Sequence, residues 1–190
     1  MIRSPNHSGS KKGAQIAMLP RLTLVLGGAA SGKSAFAEGL VVNTGRQRTY
    51  LATAEIYDLE MQAKVAKHQE MRGKNWHTIE VPLDPGRVLA TISGDQVVLL
   101  DCATMWLSNQ LLAENDLEQA TLELTRGLSN CDAPVVIVSN ETGLGIVPGN
   151  ALARRFRQEQ GLLNQLLAAQ ADLVVNVIAG LPQLLKGTLP

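Results

Sequence analysis

The chain has 190 residues, of which 45% are hydrophobic, enough for one domain with a sizeable core. Aromatic residues make up only 3% of the chain, which disfavours a protein that stacks single-stranded nucleic acid on exposed rings. Lys and Arg total 17 and Asp and Glu total 17, so the chain lacks the general basic charge typical of a nucleic-acid or anionic-membrane partner.

The first twenty residues are rich in Ser, Gly, Lys, Asn and Pro and lack apolar periodicity. We expect residues 1–20 to be a disordered extension rather than a secretory signal, with Met18 as an alternative start. No run of about 18 apolar residues occurs, so no membrane span is expected. Cys102 and Cys131 form neither a CxxC pair nor a zinc pattern, which favours a reduced, cytoplasmic protein.

From residue 22 the pattern alternates between strands and helices. Apolar runs predict strands over residues 22–26, 48–54, 96–101, 134–140 and 173–179, with a short extended stretch over residues 76–81. Helices are predicted over residues 34–42 and 58–74, after Pro85, twice within residues 104–128, and over residues 152–169. This alternation predicts a three-layer α/β sandwich, in which a mostly parallel sheet has helices on both faces.

The segment GGAASGKS follows the first predicted strand and matches the pattern G-x-x-x-x-G-K-[ST]. Its residues are Gly27, Gly28, Ala29, Ala30, Ser31, Gly32, Lys33 and Ser34. Glycines let the backbone curl so that its N–H groups face phosphate oxygens, and the next helix presents its N-terminus to the same anion. We expect Lys33 to reach the β- and γ-phosphates and Ser34 to ligate Mg²⁺. The sequence therefore predicts a single P-loop NTPase-like catalytic domain over residues 21–190.

An acid on a neighbouring strand commonly holds the metal of a P-loop site. The apolar run VVLLD ends at Asp101, which fits this role beside the predicted P-loop. An Asp at a strand end also caps turns, so the position alone leaves both interpretations open.

The predicted helix over residues 58–74 carries Lys64, His68 and Arg72 at four-residue spacing, so the three share one face. Two cations beside a histidine disfavour its protonation, and a neutral imidazole is a nucleophile that attacks phosphorus. The same pattern is also typical of a solvated charged face with an incidental histidine. The pattern alone leaves both interpretations open, whereas His7 and His77 have no such neighbours.

The chain resembles the bifunctional adenosylcobinamide kinase and adenosylcobinamide-phosphate guanylyltransferase family of cobalamin biosynthesis. The resemblance covers residue 22 to about residue 186 and rests on blocks in the family's order: GGAASGKS, YLATAEIYDLEM, KHQEMRGKNWHTIEVP, LLDCATMWLSN, SNETGLGIVPGNALARRFRQEQGLLNQ and AGLPQLLK. It implies phosphorylation of adenosylcobinamide by ATP or GTP. It also implies transfer of GMP from GTP to the product through a GMP–histidine intermediate, with release of pyrophosphate.

The resemblance further implies a homotrimer and a set of site residues. The nucleophile falls on His68, and the guanine-nucleotide contacts fall on residues 27–34, Ala52, Thr53, Ala54, Gln69, Glu70, Met71, Arg72, Glu80 and Asp101. Ala30 stands where we expect an arginine in the family's P-loop. The backbone still cradles phosphates without it, but one cation fewer weakens charge stabilisation in the kinase step.

Further polar residues follow the predicted strand over residues 134–140. Glu141 either orients the acceptor hydroxyl or belongs to a structural loop. Arg154, Arg155 and Arg157 bind a substrate phosphate or form a solvated helix face. Two other functions compete with the bifunctional enzyme: a kinase of another small molecule with an inert His68, and an assembly ATPase that acts on a macromolecule. The block KHQEMR favours the bifunctional enzyme over the simple kinase, because phosphoryl transfer alone needs no histidine nucleophile.

Overall fold

A computed structural model describes residues 18–55 and 75–190 of the chain. The strands are β1 (Leu22–Gly27), β2 (Gln47–Ala52), β3 (Trp76–Glu80), β4 (Gln96–Asp101), β5 (Val135–Asn140), β6 (Leu173–Ile178) and β7 (Leu181–Lys186). The helices are α1 (Lys33–Val42), α2 (Pro85–Leu89), α3 (Ala103–Leu112), α4 (Leu117–Asn130) and α5 (Ala151–Gln170). These elements follow the predicted order, and the predicted helix over residues 58–74 lies outside the described residues.

The seven described strands form one sheet in the order β3-β2-β4-β5-β1-β6-β7. The first six strands pair only in parallel with one another, which agrees with the predicted mostly parallel sheet, and β7 pairs antiparallel with β6. The carboxyl ends of the parallel strands therefore meet at one edge of the sheet. In open α/β sheets this is the edge at which ligands bind.

Two hydrophobic clusters cover the two faces of the sheet and make the three layers. One cluster combines sheet residues such as Leu100 and Ile137 with side chains from α2, α3, α4 and α5. The other packs Ala37 of α1 against the opposite face of the sheet, where it meets Leu99 of β4 and Val138 of β5. Alternate residues of β4 and β5 enter opposite clusters, because successive side chains of a strand point to opposite faces.

The strand β7 was not predicted, because the expected last strand ended at residue 179. Ala179 and Gly180 have φ of 52° and 80°, so both occupy the left-handed region. Positive φ at two central residues is the geometry of a tight hairpin turn, and it brings β7 back along β6. Pro182 fits there because β7 is the edge strand, where a missing N–H is tolerated.

The folded body begins slightly earlier than the sequence predicts. Leu19, which falls within the predicted extension, is 9% exposed and packs in the cluster on the α1 side of the sheet. Met18 is 86% exposed. Residues 1–17, which make up most of the predicted extension, lie outside the described residues.

Candidate nucleotide-binding and catalytic site

Glycine is required at two positions of the loop that joins β1 to α1. A Cβ on Gly27 would collide with the Ser31 side chain and would lie 2.7 Å from the carbonyl oxygen of Val177. Gly32 has φ of 92°, a left-handed conformation in which a side chain is strained. The loop therefore needs these glycines for its curl, independently of any ligand.

Two features of the loop fit a phosphate group. The Ser31 Oγ is buried without a hydrogen-bond partner among the described residues, so a donor hydroxyl is left available inside the loop. The exposed residues Gly28 and Ala29 lead to the N-terminus of α1, where free N–H groups favour an anion. Ala30, which replaces the expected arginine, is accommodated with φ of 55°.

Lys33 begins α1 and is only 9% exposed. Its Nζ donates to the carbonyl oxygen of Gly28 at 3.1 Å. Burial lowers the pKa of Lys33, and electrostatic interactions with Cys102 and Asp101 oppose this effect. The ammonium group is therefore held under the loop in an environment where a phosphate would compensate its desolvation.

Asp101 ends β4, and its carboxylate lies on the α1 side of the sheet, since Val97 and Leu99 of the same strand pack there. Its Oδ2 accepts a hydrogen bond from the Tyr50 hydroxyl at 3.1 Å. Tyr50 is 5% exposed and lies on β2, the neighbouring strand. Tyr50 was not among the predicted site residues, although its hydroxyl orients the carboxylate that is predicted to hold a metal.

The strand register brings three of the predicted nucleotide contacts into one row. Ala52 on β2 lies opposite Glu80 on β3 and opposite Asp101 on β4. The Glu80 side chain is exposed at this edge. Thr53 is fully buried, and its Oγ1 donates to the Cys102 carbonyl and accepts from the Cys102 N–H, both at 2.7 Å. Thr53 therefore fastens the end of β2 to the end of β4 rather than reaching into solvent.

Side chains of α3 hold the chain on both sides of residues 54–81. The Nδ2 of Asn109 donates to the carbonyl oxygen of Thr53 at 2.7 Å and to that of Pro82 at 3.1 Å. Trp106 and Gln110 both donate to the carbonyl oxygen of Leu83, at 2.9 and 2.8 Å. We call Trp106, Asn109 and Gln110 the α3 clamp. The clamp fixes where the chain leaves the sheet after β2 and where it continues after β3.

The loop between β5 and α5 starts beside the P-loop. The Glu141 N–H donates to the carbonyl oxygen of Gly27 at 3.0 Å, and Asn140 lies opposite Gly27 in the sheet. The Glu141 Oε1 accepts from the Gly143 N–H at 2.5 Å, so the carboxylate stabilises its own loop. This contact favours the structural interpretation of Glu141 over substrate activation.

The described residues include no cluster of three or more His, Cys, Asp or Glu side chains that would bind a metal. Asp101 and Ser34, the residues predicted to hold Mg²⁺, supply two oxygen ligands, which suits a P-loop site because Mg²⁺ there keeps several waters and is held largely by the phosphates of the nucleotide. Within the described part of the chain, no helix is long and apolar enough to cross a membrane.

The sequence model for "Cobinamide kinase / cobinamide phosphate guanyltransferase" matches residues 23–185 of the chain. The chain belongs to this family. It is 40% identical over 167 residues to the bifunctional adenosylcobalamin biosynthesis protein CobP of Pseudomonas aeruginosa, covering 86% of this chain and 96% of that protein. It is 42% identical over 177 residues to the corresponding protein CobU of Salmonella typhimurium, covering 84% of this chain and 97% of that protein.

Solved structures support the fold of this family member. The flagellar accessory protein FlaH from Methanocaldococcus jannaschii matches with a TM-score of 0.50 and 13% identity, over 90% of this chain and 80% of FlaH. An ATPase from the type III secretion system of pathogenic bacteria matches with a TM-score of 0.52 and 10% identity, over 83% of this chain and 51% of the ATPase. At such low identity the likeness extends to the α/β fold alone.

Several predicted site residues of the cobinamide kinase family member lie outside the described residues: His68, Gln69, Glu70, Met71 and Arg72. His77, by contrast, is described and exposed on β3. The described part of the site thus consists of the P-loop, the ends of β2, β3 and β4, and the α3 clamp.

Proposed function

We propose that the protein phosphorylates adenosylcobinamide with ATP or GTP and then transfers GMP from GTP to the phosphorylated product. Membership of the cobinamide kinase and cobinamide phosphate guanyltransferase family supports both reactions. The observation that carries the proposal within the site is the curled P-loop, with the buried Lys33 beneath it and Asp101 at the end of β4. The protein therefore acts on a corrinoid with a nucleoside triphosphate as donor.

In the kinase step, the acceptor hydroxyl attacks the γ-phosphorus and the bond to the β-phosphate oxygen breaks, with release of the hydroxyl proton and of the nucleoside diphosphate. The N–H groups of the P-loop and the Lys33 ammonium stabilise the charge on the transferred group. Asp101, oriented by the Tyr50 hydroxyl, would hold Mg²⁺ together with Ser34. The bound ion would neutralise charge on the phosphates.

In the nucleotidyl step, a neutral His68 ring nitrogen attacks the α-phosphorus of GTP, and pyrophosphate leaves. A phosphate oxygen of the phosphorylated corrinoid then attacks the same phosphorus, and the bond to His68 breaks. Lys64 and Arg72, at four-residue spacing from His68 in the sequence, would share one face of the predicted helix with it, where two cations would disfavour protonation of the ring and attract the phosphates. The guanine preference of this step rests on the family resemblance.

The decisive experiment is incubation with α-labelled GTP and Mg²⁺ in the absence of corrinoid. We expect label on the protein in a linkage that is labile in acid and stable in alkali, as a phosphoramidate is and a serine ester is not. His68→Ala should abolish the label and guanylyl transfer but keep most of the kinase activity, which needs only positioning and charge stabilisation. Equal labelling by α-labelled ATP would contradict the preference for GTP.

His77→Ala is the matched control, because His77 is exposed on β3 and this variant should label like the wild type. Label that persists in His68→Ala would show that another residue is the nucleophile. A wild-type protein that never labels under any Mg²⁺ condition would instead support a kinase in which His68 is inert, as in the second candidate function.

We also propose a homotrimer in the cytoplasm. The trimer rests on the family resemblance, and the apolar edge strand β7 supplies a surface for assembly, since Leu181 and Leu185 are 72% and 55% exposed. The cytoplasmic location is supported by the free thiols Cys102 and Cys131, which suit a reducing compartment. Sedimentation analysis of the full chain tests the trimer.

A further inference from the structure

A cavity of about 460 Å³ lies between α5 and the loop that joins β5 to α5. Its wall combines two arginines, Arg154 and Arg157, with two glutamines, Gln158 and Gln165. Apolar side chains from Val147 and Leu162, together with Pro148, complete the lining. Cations and amide donors around an open cavity are the groups that recognise an anionic, hydrogen-bonding ligand.

The two arginines of this cavity have no carboxylate partner among the described residues. Arg154 Nη1 donates to the carbonyl oxygens of Pro148 and Gly149, at 3.1 and 2.7 Å. Arg157 Nη2 donates to the carbonyl oxygen of Gly143. Both guanidinium groups therefore hold the loop through carbonyl oxygens, with no carboxylate among the described residues to balance their charge.

Arg157 also has a donor without a partner. Its Nη1 is buried and makes no hydrogen bond in the described part of the chain. A buried, unpaired donor on a charged group is costly, and an anion that reached this donor would remove that cost. This second feature separates Arg157 from an arginine that merely braces a loop.

The cavity is close to the P-loop along the chain. Gly143, the acceptor of the Arg157 contact, is two residues from Glu141, whose N–H donates to Gly27 at the start of the P-loop. Two residues span at most about 7 Å. The loop that lines this cavity therefore starts at the ligand-binding edge of the sheet, next to the first residue of the P-loop.

We propose that this cavity binds the phosphate of the phosphorylated corrinoid, with Arg157 and Arg154 as its cationic wall. The proposal rests on the proposed function and deepens it by assigning a subsite to the acceptor of the nucleotidyl step. The guanidinium fork suits a phosphomonoester, to which it donates two parallel hydrogen bonds. The glutamines would serve the amide groups of the same ligand.

The test compares Arg157→Gln with Arg155→Gln, which removes the same charge from an exposed residue of α5 that does not line the cavity. Arg157→Gln should raise the KM for the phosphorylated corrinoid by roughly ten- to a hundredfold, the loss expected for a charged hydrogen bond. The KM for unphosphorylated adenosylcobinamide in the kinase step and the rate of GMP labelling without corrinoid should remain unchanged. Arg155→Gln should leave all three values unchanged.

Calorimetric titration without nucleotide gives a second measurement. The wild type should bind the phosphorylated corrinoid more tightly than the unphosphorylated one, and Arg157→Gln should remove this difference. An unchanged KM and an unchanged difference in affinity would overturn the subsite, as would equal losses in every activity, which indicate a structural role.

A failure of the proposed function can be distinguished experimentally from a failure of the proposed subsite. A wild type that transfers no GMP to the phosphorylated corrinoid contradicts that function. The titration still decides the subsite in that case, because it depends only on binding of the phosphate.

Discussion

A substitution in the α3 clamp should affect GMP labelling and phosphorylation to different extents. Asn109 is 2% exposed and is the member of the clamp that contacts both Thr53 and Pro82. Asn109→Leu keeps the number of side-chain heavy atoms but removes both donated hydrogen bonds. We expect it to destabilise the fold and to slow GMP labelling more than phosphorylation, because residues 54–81 include His68 whereas the P-loop lies elsewhere in the chain.

The expected loss of stability follows from the two bonds. Each contributes about 1 kcal/mol, and leaving two carbonyl oxygens unpaired adds to the cost. The buried Oδ1 of Asn109 has no partner among the described residues, so its removal offsets part of that cost. The free energy of unfolding should fall by about 2–3 kcal/mol, which corresponds to a decrease in Tm of about 4–12 °C for a chain of this size.

The assay measures Tm by calorimetry and both activities well below Tm. Labelling should fall roughly tenfold more than phosphorylation, since small misplacements of a reacting group cost large factors in rate. Asn109→Asp should be more harmful, because its carboxylate faces two carbonyl oxygens. The control is Gln170→Leu, which also removes two donated hydrogen bonds, to Thr125 and Ser129, but between α5 and α4.

The control should leave the ratio of the two activities unchanged. An Asn109→Leu protein with wild-type Tm would refute the energetic role of the clamp. Equal losses of labelling and phosphorylation would refute its role in positioning the segment.

Two further predictions concern the P-loop site and the thiols. Lys33→Ala and Asp101→Ala should each reduce both activities by roughly a hundredfold or more, because they remove the cation and the metal ligand that stabilise the transferred phosphoryl group. Steady-state kinetics measures both rates, and unchanged rates in folded variants would show that these residues are not part of the active site. Desolvation raises the pKa of the half-buried Cys102 to about 12 and also raises the pKa of the buried Cys131, so both thiols should react far more slowly with a disulfide reagent at pH 8 in the native protein than in the unfolded chain. The unfolded chain loses these protons first, so the thiols should also lower stability as the pH rises above about 9, and equally rapid labelling of the native and the unfolded protein would contradict the raised pKa values.

Local sequence patterns were sufficient to predict the P-loop and the order of the strands and helices. The glycines, Lys33 and Ser34 lie within one short segment of the chain, and a loop between a strand and a helix has few conformations that satisfy them. Asp101 was found in the same way, as a polar residue at the end of an apolar run. Such features depend on neighbours in sequence, and the structure confirms the predicted mostly parallel sheet.

The partners of these residues depend on contacts that sequence patterns do not encode. Tyr50 and Asp101 are 51 residues apart, and Asn109 and Thr53 are 56 apart. The first pair meets because the strand order places β2 beside β4, and the second meets because the Asn109 side chain of α3 reaches the residue that follows β2. The hydrogen-bond acceptor of a buried asparagine in a helix cannot be predicted from the periodicity of the sequence.

Sequence patterns are enough to predict the family, the P-loop and the alternation of strands and helices, because these depend on local chemistry and on motifs in a fixed order. Three features are visible only in the folded chain: the antiparallel return of β7, the contact by which Glu141 stabilises its own loop, and the position of Arg157, but not Arg155, in the wall of a cavity. They cannot be predicted locally because burial and hydrogen-bond partners are properties of packed elements. They exist only after distant segments of the chain have come together.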